Sequence, residues 1–391
     1  MKILVIAAGP LPFARGTPAR TLRVSQALEA RGHEVCVAAF SIADEEIETD
    51  LRIERCRALR GYEKTTPGPS VTKLLVMNPR LAARACELLR NEPFDVIYAH
   101  HYEGLLVASI ARRRAGLSLP IVFDSHTLLG AELRFYFPKL LSRPVSWLGV
   151  ALDHCLSRLA DAILGVTDEI TQFYASRALL STPVLTAPNG VEYEKFDHAP
   201  QPEESQKPVR VVFAGNLSEY QGFELLISAF GKARLQRPHL QLLVAAHDAA
   251  NVLAALDIDK PEAEGIVIRD GSFGALPDIL ACADIAANPR VVCPGIPQKL
   301  LNYMAAALPT VSFEGSATIL RHEETGLIVE NGDVEAFAGA IVRLADSYDL
   351  RRRLGIAARA LIEAEYDWER VAVTFERAVA LLERERLLGR R

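Results

Sequence analysis

The chain has 391 residues, 50% of them hydrophobic and 24% charged, and a formal net charge of −5. That length suits two domains, each able to bury a core, and the acidic balance argues against a nucleic-acid partner. The six cysteines are scattered, with no C-x-x-C pair and no histidine at zinc spacing, so they read as thiols in a reducing cytoplasm with no metal site.

The opening residues MKILVIAAG run straight into a domain, with an apolar stretch too short for a signal peptide. No stretch approaches the roughly 18 uninterrupted apolar residues of a membrane span. Residues 2–8 form a continuous apolar run, as in a strand buried on both faces. A Gly- and Pro-rich loop follows over 9–16, with Thr17 as a natural N-cap and Pro18 as a first helical residue. The helix runs to about Arg31, Gly32 ends it, and residues 34–40 are the next strand. Strands continue at 95–99, 121–124, 162–165 and 184–187. Residues 199–208, APQPEESQKP, lack apolar periodicity and read as a linker. The β–α rhythm then restarts, with strands at 209–214, 240–245, 266–268, 284–287 and 310–313. Helices are expected at 223–235, 276–282, 297–307, 334–345, 350–364 and 368–388. Alternating strands and helices imply mostly parallel sheets, which bind ligands at the carboxyl ends of their strands. Two such sheets facing each other across a cleft would suit dinucleotide enzymes, kinases, binding proteins and transferases alike.

Three segments carry chemistry. In PFARGTPAR, Gly16 precedes a helix N-terminus whose free N–H groups suit a phosphate, and Arg15 and Arg20 add charge. A plain turn with solvated arginines fits the spacing equally well. The absence of G-x-G-x-x-G disfavours a nicotinamide cofactor. In FDSHT, His126 follows a buried strand and so sits where strand end meets ligand, with His100 and His101 as weaker candidates. In CPGIPQKLLNYMAAALPTVSF, a loop containing Gly295 leads into a helix with Lys299 in its first turn, against the macrodipole. A diphosphate would be held by that helix end and by Lys299, and Asn302, three residues on, could bond a ribose. The alternative is a lysine that simply reaches solvent.

These segments, with GNLSEYQGFELLISAF (215–230), PNGVEYEKF (188–196) and ETGLIVENGD (324–333), carry a likeness across nearly the whole chain. The chain resembles the retaining GT-B glycosyltransferases of family 4, or group 1. The resemblance implies an α/β fold of two Rossmann-like domains facing each other across a cleft. The acceptor domain would cover 1–198, with the last helix, 368–391, packing back on it. The linker would be 199–208 and the donor domain 209–367.

It implies transfer of a hexose-type sugar from a UDP- or GDP-sugar to a hydroxyl acceptor in glycan, glycolipid or natural-product biosynthesis. Configuration would be retained, with no cofactor or metal beyond the nucleotide-diphosphate sugar as donor substrate. The Gly16 loop and Arg20 would approach the diphosphate, and His126 the transferred sugar. Gly215, Asn216 and Gln221 would face the diphosphate, Phe273 the nucleobase and Asn302 the ribose. The sequence departs from the family pattern at four places: Pro294 and Asn302 replace the two glutamates of E-x7-E, and Asn216 and Gln221 replace an arginine and a lysine. Without charge assistance a phosphate bond is about half as strong. Two other readings follow: a catalytically weak sugar-nucleotide-binding scaffold, and another GT-B enzyme such as a sugar-nucleotide epimerase. Residues 133–150, LRFYFPKLLSRPVSWLGV, carry three cations and no acid among apolar residues. They would touch the inner face of a membrane, line an acceptor pocket or pack on their own domain.

Overall fold

The computed structural model describes residues 1–13, 16–43, 47–65, 68, 70–137, 141–176, 182–196, 208–215, 217, 219–246, 264–271, 274–293 and 295–388, with only the backbone of 134, 135 and 270. The chain forms two compact units, one of Met1–Asn189 with Trp368–Arg391, the other of Gly190–Asp367.

The first unit is built on a parallel sheet of seven strands. These are β1 (Lys2–Ala7), β2 (Glu34–Ala39), β3 (Arg52–Arg55), β4 (Val96–His100), β5 (Ile121–Ser125), β6 (Ala162–Gly165) and β7 (Val184–Thr186), in spatial order β3-β2-β1-β4-β5-β6-β7. Ile3, Val5, Leu4 and Ile6 of β1 alternate between two apolar layers, which is why the strand reads as an unbroken apolar run. One layer holds α1 (Gly16–Ala30), through Leu22, Val24 and Leu28, and the C-terminal helix Trp368–Leu387. That last helix buries Val371, Phe375, Ala378 and Leu382, a stripe at three- and four-residue spacing. Phe375 lies 4.4 Å from the Tyr98 ring. Arg31, past the end of α1, bonds both Glu369 (2.7 Å) and Glu376 (2.8 Å). The opposite layer holds α2 (Asn78–Asn91) and α3 (His101–Ala115).

The second unit repeats the logic with β8 (Arg210–Ala214), β9 (Gln241–Ala246), β10 (Ile266–Asp270), β11 (Ile285–Asn288), β12 (Thr310–Phe313) and β13 (Gly326–Val329). All run parallel, in the order β10-β9-β8-β11-β12-β13. Residues 190–196, placed by sequence at the end of the first domain, belong here: Val191 and Phe196 enter this unit's core, and the Val191 amide donates to the Tyr366 carbonyl at 2.9 Å. The expected linker, except Pro208, falls outside the described residues.

Because Phe375 is fully buried against Tyr98, Phe375→Ala should destabilise the first unit by about 3–5 kcal/mol. Urea unfolding followed by fluorescence checks this. A variant within about 0.5 kcal/mol of the parent would mean that the helix contributes little to that core.

Candidate active site

In an open parallel sheet, loops diverge where the strand order reverses, and a crevice opens at the carboxyl ends. The reversal falls between β1 and β4 in the first unit and between β8 and β11 in the second. The chemically distinctive residues of each unit gather there.

In the first unit the centre is the Asp124 carboxylate at the end of β5, which is fully buried. Arg20, from α1, binds it in a fork, Nε to Oδ2 at 2.8 Å and Nη2 to Oδ1 at 2.9 Å. The other guanidinium protons go to the carbonyls of Ala187 (2.8 Å) and Pro188 (3.0 Å) and to Asn189 Oδ1 (3.2 Å). All five N–H donors of Arg20 are thereby used inside its own domain. Arg20, expected at a donor diphosphate, is instead the counter-ion of Asp124.

Two imidazoles complete the cluster. His100 Nδ1 lies 2.9 Å and His126 Nε2 3.0 Å from Asp124 Oδ2. The two nitrogens are 3.3 Å from each other, but both face the carboxylate, so each donates to it. That fixes His126 as the Nε2–H tautomer, whose Nδ1 then accepts from Thr17 Oγ1 at 3.0 Å. Thr17 therefore serves His126. It does not cap the helix, which begins at Gly16 (φ +62°). His100 Nε2 is buried without a partner. Burial alone would raise the pKa of Asp124, but Arg20 and the histidines outweigh it and hold the carboxyl well below its ordinary range. Burial pushes His126 down to about 4, against the pull of Asp124.

His100, Asp124 and His126 also have the residue types of a metal site, their ligand atoms lying within 4.8 Å of one another. The donor set does not fit a dication. Arg20 already neutralises the carboxylate, and the oxygen between the histidines takes three N–H bonds.

In the second unit, β8 is followed by Gly215, whose φ is +146°, and a Cβ there would stand 3.2 Å from Lys299 Nζ. Gly222 (φ +70°) lets the loop after β8 meet the loop after β11; a Cβ would lie 2.0 Å from the Pro289 carbonyl oxygen. Lys299 occupies the first turn of the helix Gln298–Ala305. Its stem is half-buried, and its Nζ is buried with no hydrogen-bond partner, 4.2 Å from the centre of the Phe213 ring. Burial pushes Lys299 down to about 7, helped by Arg290 and opposed by Cys293. Gln221 is buried with an unpartnered Oε1, and Asn302 is buried one turn beyond Lys299. Gly295 (φ +109°) lies in the loop ahead of that helix. Asn216, Phe273 and Pro294 lie outside the described residues.

The structure thus brings His126 together with Arg20, and Lys299 together with Gly215. Sequence reasoning passed over Asp124, the hub of the first cluster, and Arg290, which follows β11 and stacks on Tyr220 at 4.9 Å. The signal for each was an acid or a base at the end of an apolar strand.

Residues 15–190 match the family described as glycosyl transferase 4-like domain, and residues 208–347 match glycosyl transferases group 1. The chain belongs to the group 1 glycosyltransferases. It is an enzyme of that class with two Rossmann-like domains, the GT-B fold. Among its relatives is a phosphatidyl-myo-inositol mannosyltransferase of Mycobacterium leprae, 26% identical over 95% of this chain and 94% of the relative. Another is a GDP-mannose-dependent monoacylated alpha-(1-6)-phosphatidylinositol monomannoside mannosyltransferase of Corynebacterium glutamicum, 26% identical over 80% of this chain and 82% of the relative. The fold matches sucrose-phosphate synthase of Thermosynechococcus elongatus (TM-score 0.75, 18% identity, 99% of each chain). It also matches Anabaena HepE solved with UDP (TM-score 0.71, 16% identity, 97% of this chain and 100% of that one).

The depressed basicity of His126 should make the glycosyltransferase's first domain acid-sensitive. The unfolded chain binds the His126 proton below about pH 6.5, the folded one only near 4, so stability falls as pH drops through that window. Urea unfolding at pH 7 and pH 5 should show a smaller loss in His126→Gln than in the parent. Equal losses would show that His126 does not carry this proton linkage.

Proposed function

We propose that this glycosyltransferase moves a hexosyl unit from a nucleoside diphosphate sugar to a hydroxyl acceptor, with retention of configuration. The observation that carries the reading is Lys299: a buried ammonium nitrogen without a partner, beside the Gly215 strand end and in the first turn of a helix. A helix N-terminus and an unpaired cation together suit a diphosphate. Gln221 and Gly215 adjoin the phosphates in this reading, Gly295 shapes the approach, and Asn302 takes the ribose. Asn216 and Phe273 keep the roles that the family resemblance implies.

His126 stands beside the transferred sugar as a positioned group. With Nε2 donating to Asp124 and Nδ1 taken by Thr17, it is not a free base. That suits a mechanism in which the leaving diphosphate takes the acceptor's proton and catalysis is positioning plus electrostatic stabilisation. The corynebacterial relative is named for GDP-mannose and HepE was solved with UDP and with UDP-glucose, so both guanosine and uridine donors belong in the test.

The test is calorimetric. A charge-assisted phosphate bond contributes roughly 1.5–3 kcal/mol, so Lys299→Met should weaken UDP or GDP about tenfold to a hundredfold and spare the nucleoside. At pH 8, where Lys299 is mostly neutral, diphosphate binding should draw in about one proton, and the variant should draw none. Diphosphate affinity should therefore fall about tenfold per pH unit above 7. Unchanged affinity in the variant removes the donor site from this helix. Calorimetric donor binding without turnover across acceptors would support the scaffold reading.

The acceptor reaches the first domain at a lipid surface in this reading. No helix among the described residues is long and apolar enough to cross a membrane. The helix Ser142–Ser157, however, presents Trp147 at 79% exposure with Leu148 and Arg143 beside it, and its single acid, Asp153, is buried. Val71, Leu74 and Leu75 are exposed as well. Apolar side chains with a basic and no acidic exposed charge suit anionic headgroups. The protein should co-sediment with vesicles containing phosphatidylserine at low salt, and Trp147→Ser with Leu148→Ser should abolish this. No sedimentation of the parent protein ends the idea.

A further inference from the structure

A second polar cluster lies beside the His126 centre and has no part in the chemistry above. His101 opens α3 with a left-handed backbone, φ +64°, and its ring centre is 6.0 Å from that of His126. Its Nε2 is 3.4 Å from Glu132 Oε2, an ion-pair contact, and that oxygen is buried with no closer hydrogen bond. The other Glu132 oxygen accepts from Tyr136 at 2.9 Å. One turn into α3, Gly104 sits against the Ile6 carbonyl, where a Cβ would be 2.9 Å away, and this close approach carries Glu103 into the interior. Glu103 pairs with Lys73 through Oε2, and its Oε1 is likewise buried without a donor. Lys73 begins a π-helical turn, Lys73–Met77, whose first carbonyl takes the Asn78 amide. Asn78 is 5% exposed, and neither atom of its side-chain amide has a partner.

Buried polar atoms are nearly always bonded, and leaving one unpaired costs about 1–3 kcal/mol. Here a whole amide at the start of α2, one carboxylate oxygen in the first turn of α3 and one on Glu132, at the end of the short helix Leu129–Glu132, have no hydrogen-bond partner. Carboxylate oxygens only accept, so they call for donors. The cluster has two carboxylates, Glu103 and Glu132, against one lysine. Burial works against ionisation of Glu132, but His101, Tyr136 and Lys73 outweigh it and hold the carboxyl below its ordinary range.

We infer that Glu103, Glu132, His101 and Asn78 form the acceptor subsite of the proposed transferase, and that it takes a neutral or amino-bearing polyol and rejects a phosphorylated one. Sugar hydroxyls or an ammonium group donate to the orphan oxygens, and Asn78 supplies a donor and an acceptor to adjacent hydroxyls. A phosphate in the same place would meet two carboxylates and be repelled. A π-helical turn and a left-handed non-glycine residue at one spot are the kinds of local irregularity that functional sites retain. The inference rests on the glycosyltransferase reading for its ligand class. It also distinguishes this chain from one built around an inositol phosphate.

Saturation-transfer NMR on the full chain tests it with matched probes at millimolar concentration. The probes are myo-inositol against myo-inositol 1-phosphate, and glucosamine against glucosamine 6-phosphate, each with and without UDP or GDP. The neutral and amino probes should bind at least tenfold tighter than their phosphorylated partners. Glu132→Gln should weaken them at least tenfold with an unchanged or higher thermal midpoint, because the amide oxygen can keep the Tyr136 bond and the change falls on the atom that no protein hydrogen bond uses. Tighter binding of the phosphorylated probe, or no binding of any neutral or amino probe, overturns the inference. So does a Glu132→Gln variant with unchanged affinity or a lowered midpoint, which would mark the cluster as solvated structure. Failure of UDP and GDP to bind would instead strike at the donor reading, which rests on the second unit.

Discussion

The first unit depends on one buried charge. Asp124 sits at the end of a central strand with no exposed surface, and an unpaired carboxylate there would be untenable. The demand for counter-charge and donors draws together α1 through Arg20, β4 through His100 and the loop after β5 through His126. Arg20 then uses its remaining protons on residues 187–189, where the chain leaves this unit. Removing one partner of such a pair costs about 3–5 kcal/mol, whereas replacing both with apolar groups is often neutral. The pair is therefore weak evidence for stability. Its consequence is geometric: it orients His126, fixes the tautomer and recruits Thr17 to the other ring nitrogen.

The second unit solves the opposite problem. Its switch point contains a cation with no anion, and no acid stands near Lys299 Nζ among the groups that shift it. Phe213 below the ammonium gives a modest cation–π attraction, but no hydrogen bond. A self-satisfied ion pair in one unit and an unsatisfied cation in the other are what positioning and ligand capture respectively require. Both occur at strand-order reversals, so the topology delivers two sites of different electrostatic character from one architectural rule.

Much of this was legible in the sequence because buried parallel strands leave unbroken apolar runs, as at Ile3–Ile6 and Val211–Ala214. β3 was not, because RIER is a short polar edge strand without such a run. Nor were α2, α3 and the helix Ser142–Ser157 assigned, and the first two decide where Asn78 and Glu103 lie. At the site, Lys299 was readable from a local conflict, a cation in a first helical turn. Arg20 was misread because its partner is 104 residues away, and local spacing carries no record of that. Asp124 was overshadowed by His126 two positions on, although only the acid explains why the histidine is held as it is.

The missing family charges at Asn216 and Gln221 acquire a physical meaning in this light. Arginine and lysine at those places would put permanent charge around the Gly215 strand end. Here positive charge comes from Lys299 and Arg290, and the first of these is close to half-charged near neutrality. A lysine that surrenders its proton when buried and empty avoids most of the cost of desolvating an ammonium ion. In the proposed donor site, a diphosphate would return the proton to that nitrogen and make it a full counter-ion. Such a site would not hold an uncompensated charge between turnovers, yet would present one to the leaving group as negative charge develops on it. On the proposed reading, the two fixed charges give way to a ligand-dependent one, and the same burial that weakens Lys299 as a base would make its charge selective for the occupied state.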